Sequence, residues 1–222
     1  MSISRRNFKN HKKGFTLVEL LVTITIFVML TAVVLWNQEK FNSTILLTNL
    51  AYDTALTIRQ AQTYGINIKK FNTGTEKEFV PYGVHFDMED TKSFILFADE
   101  DWDGEDSDGL FWIDSLTPLP TSCNESDGCV SRYTIKRGNR ISALCAEDVL
   151  EERDVCGQDK DLQELDIVFT RPNPDAMIKG IKINSTTVTV IDSTVTIILA
   201  GVDGGSFRKI KVGQNGLISI AK

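Results

Sequence analysis

An uninterrupted apolar run near the N-terminus dominates the hydrophobic pattern of the chain. It covers the 22 residues from Phe15 to Trp36 and contains a single charged residue, Glu19. As an α-helix this run would be about 33 Å long, which is enough to cross the hydrocarbon core of a bilayer. Five basic residues and no acidic residue precede it: Arg5, Arg6, Lys9, Lys12 and Lys13. This excess of positive charge predicts a single pass with the N-terminus in the cytoplasm and the rest of the chain outside.

A helical pattern continues beyond the predicted span. Neither Gly nor Pro occurs between Phe15 and Gly65, and Gly65 stands where a helix C-cap glycine would be expected. Apolar residues with helical spacing form a stripe in the second part of this segment: Leu47, Ala51, Ala55 and Ile58. We therefore predict one helix of about 50 residues, with a transmembrane half at 15–36 and an amphipathic half at 37–64.

From Gly65 onward the pattern changes to short segments typical of β-strands. Val80–Phe86 and Ser93–Ala98 predict a hairpin, and the Arg-Pro-Asn-Pro sequence after Leu165–Phe169 is expected to stop a third strand. Further strands are predicted at Tyr133–Lys136, Thr186–Ile191, Thr194–Ala200, Phe207–Val212 and Leu217–Ile220. The predicted fold class is therefore α+β, a long N-terminal helix packed on a mainly antiparallel β domain at 65–222.

All four cysteines lie in the segment 114–161, which is rich in charge and is predicted to be an insertion or a long loop around one strand. They are Cys123, Cys129, Cys145 and Cys156. Outside the cytoplasm an even number of cysteines indicates disulfides, here two of them with three possible connectivities. The alternative is a zinc site, but the chain lacks the closely spaced cysteine pair of a zinc knuckle. We favour disulfides, and the sequence leaves their pairing open.

One dense acidic segment follows the predicted hairpin. Asp99, Asp101 and Asp103 occupy alternate positions and a glycine follows, as in the opening of a calcium loop. The twelfth position, where an EF-hand has a bidentate glutamate, is Leu110, so an EF-hand is excluded. Two hypotheses remain for this segment, namely a looser calcium-binding turn and a solvated acidic loop.

The junction between the basic residues and the apolar run has a distinctive order. Lys12, Lys13 and Gly14 are followed directly by Phe-Thr-Leu-Val-Glu, residues 15–19. Over about residues 9–36 this string resembles the class III signal peptide of type IV pilins and pseudopilins. The alternative is an ordinary signal anchor whose acid reaches back to water. Cleavage by signal peptidase is disfavoured because no good small-residue site follows the apolar run.

The resemblance implies a role for three residues. A prepilin peptidase would cleave after Gly14, so that residues 1–14 are a leader, and the new N-terminal Phe15 would be N-methylated. The carboxylate of Glu19 would then meet the α-amino group of Phe15 on a neighbouring subunit. Pairing removes most of the cost that each charge has in lipid. The implied partners are other pilins or pseudopilins, the peptidase and an inner-membrane assembly platform.

A weaker likeness extends beyond the leader to the GspH/FimT-type minor pseudopilins and minor pilins. It rests on residues 58–61, on 82–84 leading to 97–99, and on 212–216. It implies a structural subunit of a type IV pilus or a type II secretion pseudopilus. Trp36 stands where many major pilins have a helix-breaking proline, a departure that favours a minor subunit.

Two other functions are less favoured by the sequence, namely a nucleic-acid or surface receptor and an enzyme. Without the five leader cations the chain has 19 basic and 30 acidic residues, a net charge of −11 that is unfavourable for binding a phosphate backbone. The late basic residues Arg208, Lys209, Lys211 and Lys222 leave a DNA-uptake or surface-binding receptor as the alternative. An enzyme is not predicted, because catalytic motifs are absent and His85 is the only histidine after residue 14.

Overall fold

The computed structural model describes residues 14–67, 80–99, 123, 128–147, 155–157, 161–202 and 204–221, with only the backbone of 36–42. The chain divides into two compact units, Met1–Phe41 and Asn42–Lys222. The α-helix α1 spans Leu17–Ile66, which agrees with the single long helix predicted from the absence of Gly and Pro. The fold is α+β, as expected from the sequence.

In the second unit, helix α1 packs through the stripe that the sequence predicted. Leu47, Ala51, Ala55 and Ile58 are all buried in the hydrophobic core. Thr54 is fully buried on the same side, and its hydroxyl donates to the backbone oxygen of Leu50 at 2.8 Å. Burial of each large apolar side chain contributes about 1.5–3 kcal/mol, so this stripe determines which side of the helix faces the sheets.

Gly65 has a different role from the predicted C-cap. The helix continues through Ile66, and Gly65 is not among the glycines with a positive φ. A Cβ at this position would overlap the backbone carbonyl of Phe169. Glycine is required here because the last turn of the helix lies directly against the end of a strand, a close approach that leaves no room for a side chain.

Ten strands form two antiparallel sheets in the described part of the chain. Their bounds are β1 Tyr82–Asp87, β2 Ser93–Ala98, β3 Cys129–Thr134, β4 Arg140–Cys145, β5 Leu162–Phe169, β6 Ala176–Lys182, β7 Val188–Val190, β8 Val195–Ala200, β9 Phe207–Val212 and β10 Ile218–Ala221. The six-stranded sheet has the order β3-β2-β1-β5-β6-β7, and the four-stranded sheet has the order β10-β9-β8-β4. The predicted hairpin of β1 and β2 is confirmed, with Tyr82 opposite Ala98.

One hydrophobic core joins helix α1 to the inner faces of both sheets. Alternate residues of most strands point into it, because successive side chains of a strand face opposite sides. The six-stranded sheet contributes Tyr82, Val84 and Phe86 to this core, among others. The four-stranded sheet contributes Ile197 and Leu199. The outer faces are also buried in places, around Phe97 and Val168 in one sheet and around Ile198 in the other.

Strands β4 and β6 were not predicted from the sequence. β4 lies in the segment 114–161, where one strand was expected, and pairs with β8 across an irregularity between Ile141 and Ala143. This irregularity shifts the alternation of apolar and polar residues by one position. The strand therefore lacks the period-two pattern by which strands are recognised in a sequence. In β6 one inward position is Gly180. Because glycine has no side chain, the alternation of apolar and polar residues is interrupted there.

The turn at Asp192-Ser193, between two predicted strands, does not close a hairpin. β7 belongs to the six-stranded sheet and the next strand, β8, belongs to the four-stranded sheet, so this turn carries the chain from one sheet to the other. By contrast, β9 and β10 form a hairpin, with Ile218 opposite Val212. Gly216 has a positive φ in its turn, a conformation that glycine adopts without a steric penalty.

Candidate processing and assembly site

The peptide bond between Gly14 and Phe15 lies in exposed, non-helical chain. Residues 14–16 have no regular secondary structure and precede the first helical residue, Leu17. A Cβ added at Gly14 would meet nothing within 4 Å, and Phe15 is 85 % exposed. A peptide bond must leave helical hydrogen bonding to enter a protease site, and here it is already free of the helix.

Thr16 caps the N-terminus of helix α1. Its Oγ1 accepts a hydrogen bond from the backbone N–H of Glu19 at 3.2 Å, and its backbone oxygen accepts from the N–H of Leu20 at 3.1 Å. Thr16 and Glu19 have the Thr-x-x-Glu spacing of a capping box. Glu19 therefore lies in the first turn, where the partial positive charge of the helix N-terminus favours a carboxylate. This spacing was visible in the sequence, but its capping role was missed.

The segment Leu17–Leu35 is long and apolar enough to cross a membrane, with a mean hydropathy of 2.6 and none of it buried. The hydroxyls of its three threonines are satisfied within the helix. The hydroxyls of Thr23 and Thr25 donate to backbone oxygens of the preceding turn at 2.8 Å, and the hydroxyl of Thr31 does so at 2.9 Å. These bonds return each hydroxyl to the helix backbone and make the threonines compatible with lipid.

The four cysteines form two disulfides, Cys123–Cys129 and Cys145–Cys156. This result confirms the disulfide prediction, selects one of three connectivities, and removes the zinc alternative because no free cysteine remains among the described residues. Cys129 packs on the outer face of the six-stranded sheet and Cys145 on that of the four-stranded sheet. Each disulfide thus attaches a neighbouring segment to the outer face of one sheet.

His85 lies on the outer face of β1 and pairs with Asp166 of β5. Its Nδ1 is 2.8 Å from the Asp166 carboxylate, and both residues are buried. Burial lowers the pKa of His85, but the Asp166 carboxylate, together with the charges of Glu164 and Asp87, raises it more, so the net shift is upward. Burial also raises the pKa of Glu164. His85 and Asp166 therefore form a buried pair that joins β1 to β5.

The predicted calcium residues are only partly within the described structure. Asp99 is buried at the end of β2, where its backbone N–H donates to the oxygen of Pro81 at 2.9 Å. Asp101 and Asp103 lie outside the described residues. The residues that are described contain no group of three or more side chains suited to a metal ion. The calcium site remains a prediction from the sequence.

The late basic residues that the structure describes do not form an exposed cluster. Arg208, Lys209 and Lys211 lie on β9, and Lys209 is only 1 % exposed. Arg208 and Lys211 are half-buried, and Lys222 lies outside the described residues. A phosphate backbone is bound through accessible Lys and Arg side chains, so this strand gives the receptor alternative no support.

Comparison with known families addresses the N-terminal segment directly. Residues 9–35 match the family model of the prokaryotic N-terminal methylation motif. The methylation motif includes Gly14, Phe15 and Glu19, and it indicates a class III signal peptide of the type IV pilin kind. Together with the apolar helix, it indicates a membrane-anchored, pilin-like precursor. No curated protein and no solved structure matched the chain.

Proposed function

We propose that this chain is a structural subunit of a type IV pilus or type II secretion pseudopilus. In this proposal prepilin peptidase removes residues 1–14, Phe15 is N-methylated, and the mature chain assembles through helix α1. The observation that carries the proposal is the methylation motif, whose Gly14–Phe15 bond lies in exposed chain two residues before a capped apolar helix.

The proposed assembly contact joins Glu19 to the α-amino group of Phe15 on a neighbouring subunit. Glu19 is the only charged residue of the apolar run, and a lone carboxylate surrounded by hydrocarbon is costly. The α-amino group of Phe15 is created only by cleavage after Gly14, so the pairing would make assembly depend on processing. The N-cap of Thr16 supports this role, since it holds Glu19 in the first turn of the helix, close to Phe15 in sequence.

The proposed location follows from the same segment. The precursor would lie in the cytoplasmic membrane with residues 1–14 in the cytoplasm, and the β domain would lie outside, where its two disulfides form and persist. The partners would be other pilins or pseudopilins, the peptidase and the inner-membrane assembly platform. Within this class we propose a minor subunit of the GspH/FimT type.

Substitution of Glu19 tests the proposed function. We expect Glu19→Gln, which keeps the shape of the side chain and removes its charge, to be cleaved and methylated normally but to be absent from isolated filaments. Glu19→Asp is the matched control and should retain part of the incorporation. Filament incorporation of Glu19→Gln at the parent level would contradict the assembly role.

A further inference from the structure

The edge strand β7 of the six-stranded sheet is exposed along its outer side. In the described part of the chain it is the last strand of this sheet and pairs with β6 alone. Val188 is 38 % exposed and Val190 is 57 % exposed, although both are apolar. An exposed edge strand presents unpaired backbone groups, so it can pair with a strand of another molecule.

The segment 185–191 lacks the features by which proteins usually protect such an edge. It consists of serine, threonine, valine and isoleucine, with no charged residue, no proline and no glycine. Charged side chains, prolines and bulges are the usual obstacles to edge pairing, and β7 pairs with β6 in regular register. Because most of the segment is β-branched, it also favours the extended conformation.

The register of β7 shows which backbone groups face outward. The backbone N–H of Ile191, the residue after β7, donates to the oxygen of Ile178 in β6 at 2.9 Å. In an antiparallel pair, residues that bond to the neighbouring strand alternate with residues whose backbone groups point the other way. Val188 and Val190 lie at the alternate positions, so their N–H and C=O groups point away from β6.

A pocket of about 460 Å³ begins where β7 ends. Val190, Ile191 and Asp192 all line it, so a strand that is added to β7 and extends past Val190 reaches its mouth. Asp175 and Asp192 are exposed carboxylates of the lining, and Arg171 is its one basic residue. Two carboxylates and one guanidinium give the pocket a formal net charge of −1.

The lining of the pocket fits a long basic side chain. Lysine and arginine place their methylene groups on apolar surface and keep the charged end among polar groups. Met177 and Ile178 supply the apolar surface here. Asp175 and Asp192 supply acceptors for charge-assisted hydrogen bonds from an ammonium or guanidinium group.

We propose that β7 and this pocket bind an extended segment of a partner protein, which adds to the six-stranded sheet as a further antiparallel strand. The backbone of the segment bonds to Val188 and Val190, and its apolar residues at alternate positions cover the two valine side chains. A lysine or arginine of the segment enters the pocket. In this mode of recognition backbone pairing supplies affinity and the pocket supplies specificity. The inference is independent of the proposed function, because it concerns the second unit whether or not the chain is processed.

Hydrogen exchange in the presence of a synthetic peptide tests the pairing. The probe is a short acetylated peptide of alternating valine and threonine with a lysine near its N-terminus, the end that lies next to the pocket in an antiparallel pair. It is added at saturation to the full chain in a mild detergent. We expect exchange of the Val188 and Val190 amides to slow by roughly tenfold or more, while that of Thr189, which faces β6, changes little. Unchanged exchange at Val188 and Val190, or slowing at the edge strand β10 instead, would overturn the proposal.

Val188→Pro blocks the pairing without removing a hydrogen bond between β6 and β7. Proline has no N–H, and the N–H at this position points outward, where an edge strand tolerates proline. We expect this variant to lose peptide binding and to unfold at nearly the parent free energy. Thr189→Pro is the matched comparison, since it removes an N–H that faces β6 and should destabilise the sheet.

Two results with this variant would overturn the proposal. One is binding of the peptide to Val188→Pro with the parent affinity, because the outward N–H would then play no part. The other is self-association of the parent chain that Val188→Pro abolishes, because the edge would then be occupied by a second copy.

The pocket is tested separately with the double variant Asp175→Asn and Asp192→Asn, which removes both exposed carboxylates. We expect its affinity for the lysine peptide to fall by about three- to tenfold. Its affinity for a control peptide with norleucine, which has an uncharged side chain, in place of lysine should stay at the parent value. An equal loss for both peptides, or no loss for either, would overturn the assignment of the pocket to a basic side chain.

Discussion

The hydroxyl oxygen of Thr16 accepts a hydrogen bond from the backbone N–H of Glu19, at 3.2 Å. This cap fixes the point at which exposed chain becomes helix. Gly14 and Phe15 therefore remain outside the helix, while the carboxylate that is proposed to drive assembly lies in its first turn. Cleavage would thus act on a bond in non-helical chain, and assembly would use a side chain in the first turn of the helix.

Removal of the cap should loosen the first turn of helix α1. We expect Thr16→Val, which has nearly the same shape but no hydroxyl, to destabilise the helix N-terminus by about 1 kcal/mol. Hydrogen exchange of the amides of residues 17–20 in detergent micelles would then be roughly fivefold faster. Thr16→Ser retains the acceptor and should exchange like the parent chain. Equal protection in Thr16→Val and the parent would show that the cap contributes nothing.

A side chain at position 65 should destabilise the second unit. A methyl group there would overlap the carbonyl of Phe169, so we expect Gly65→Ala to lower the free energy of unfolding by about 1–3 kcal/mol. Denaturant titration of the full chain in a mild detergent measures this change. Gly205→Ala is the matched control, because a Cβ at Gly205 meets nothing within 4 Å. Equal stability of the two variants would contradict the close approach of helix and strand.

The buried pair of His85 and Asp166 should make stability depend on pH. The pKa of His85 is raised in the folded chain, so its contribution is fully present below the unfolded pKa of about 6.5 and is lost as the pH rises through the folded pKa. The raised pKa of Glu164 also makes the unfolding free energy fall as the pH rises, and this fall begins at a lower pH. We therefore expect the unfolding free energy to fall from pH 6 upward.

Asp166→Asn is the variant that isolates this effect. It removes the main charge that raises the pKa of His85, so the histidine should titrate at a lower pH and the decline of stability above pH 6 should flatten. NMR titration of His85 in both chains, with unfolding measured at each pH, checks the two consequences. A His85 titration that is identical in both chains would contradict the pairing.

The disulfides give a prediction about thiol content. We expect the chain isolated without reductant to react with no alkylating agent at cysteine, and peptide mapping to join Cys123 to Cys129 and Cys145 to Cys156. Replacement of both Cys145 and Cys156 by alanine should lower the free energy of unfolding by about 2–4 kcal/mol. Recovery of any peptide that joins the two pairs to each other would contradict the observed connectivity.

The sequence predicted the parts of the fold in which one local pattern dominates. The absence of Gly and Pro predicted helix α1, and two neighbouring apolar segments predicted the hairpin of β1 with β2. Strands were also predicted where β9 and β10 lie. β4 was missed because its irregular pairing breaks the alternation, and β6 because Gly180 occupies an inward position.

Features set by contacts between distant residues could not be predicted in the same way. The requirement for glycine at position 65 comes from Phe169, more than a hundred residues later, and the disulfide pairing depends on which sheet each strand joins. The features of the candidate site, by contrast, are set by residues close together in the sequence. Gly14, Phe15 and Glu19 were selected from a short string of neighbours, and the cap of Thr16 on Glu19 is equally local, so its spacing could have been recognised in advance.

Mass spectrometry of the N-terminus of the chain isolated from its own membranes shows directly whether it is processed as a prepilin. We expect the mature chain to begin with N-methylated Phe15, and Gly14→Val to block cleavage and leave the leader attached. A chain that keeps Met1 in the parent protein, or one cut beyond Trp36, would contradict this expectation.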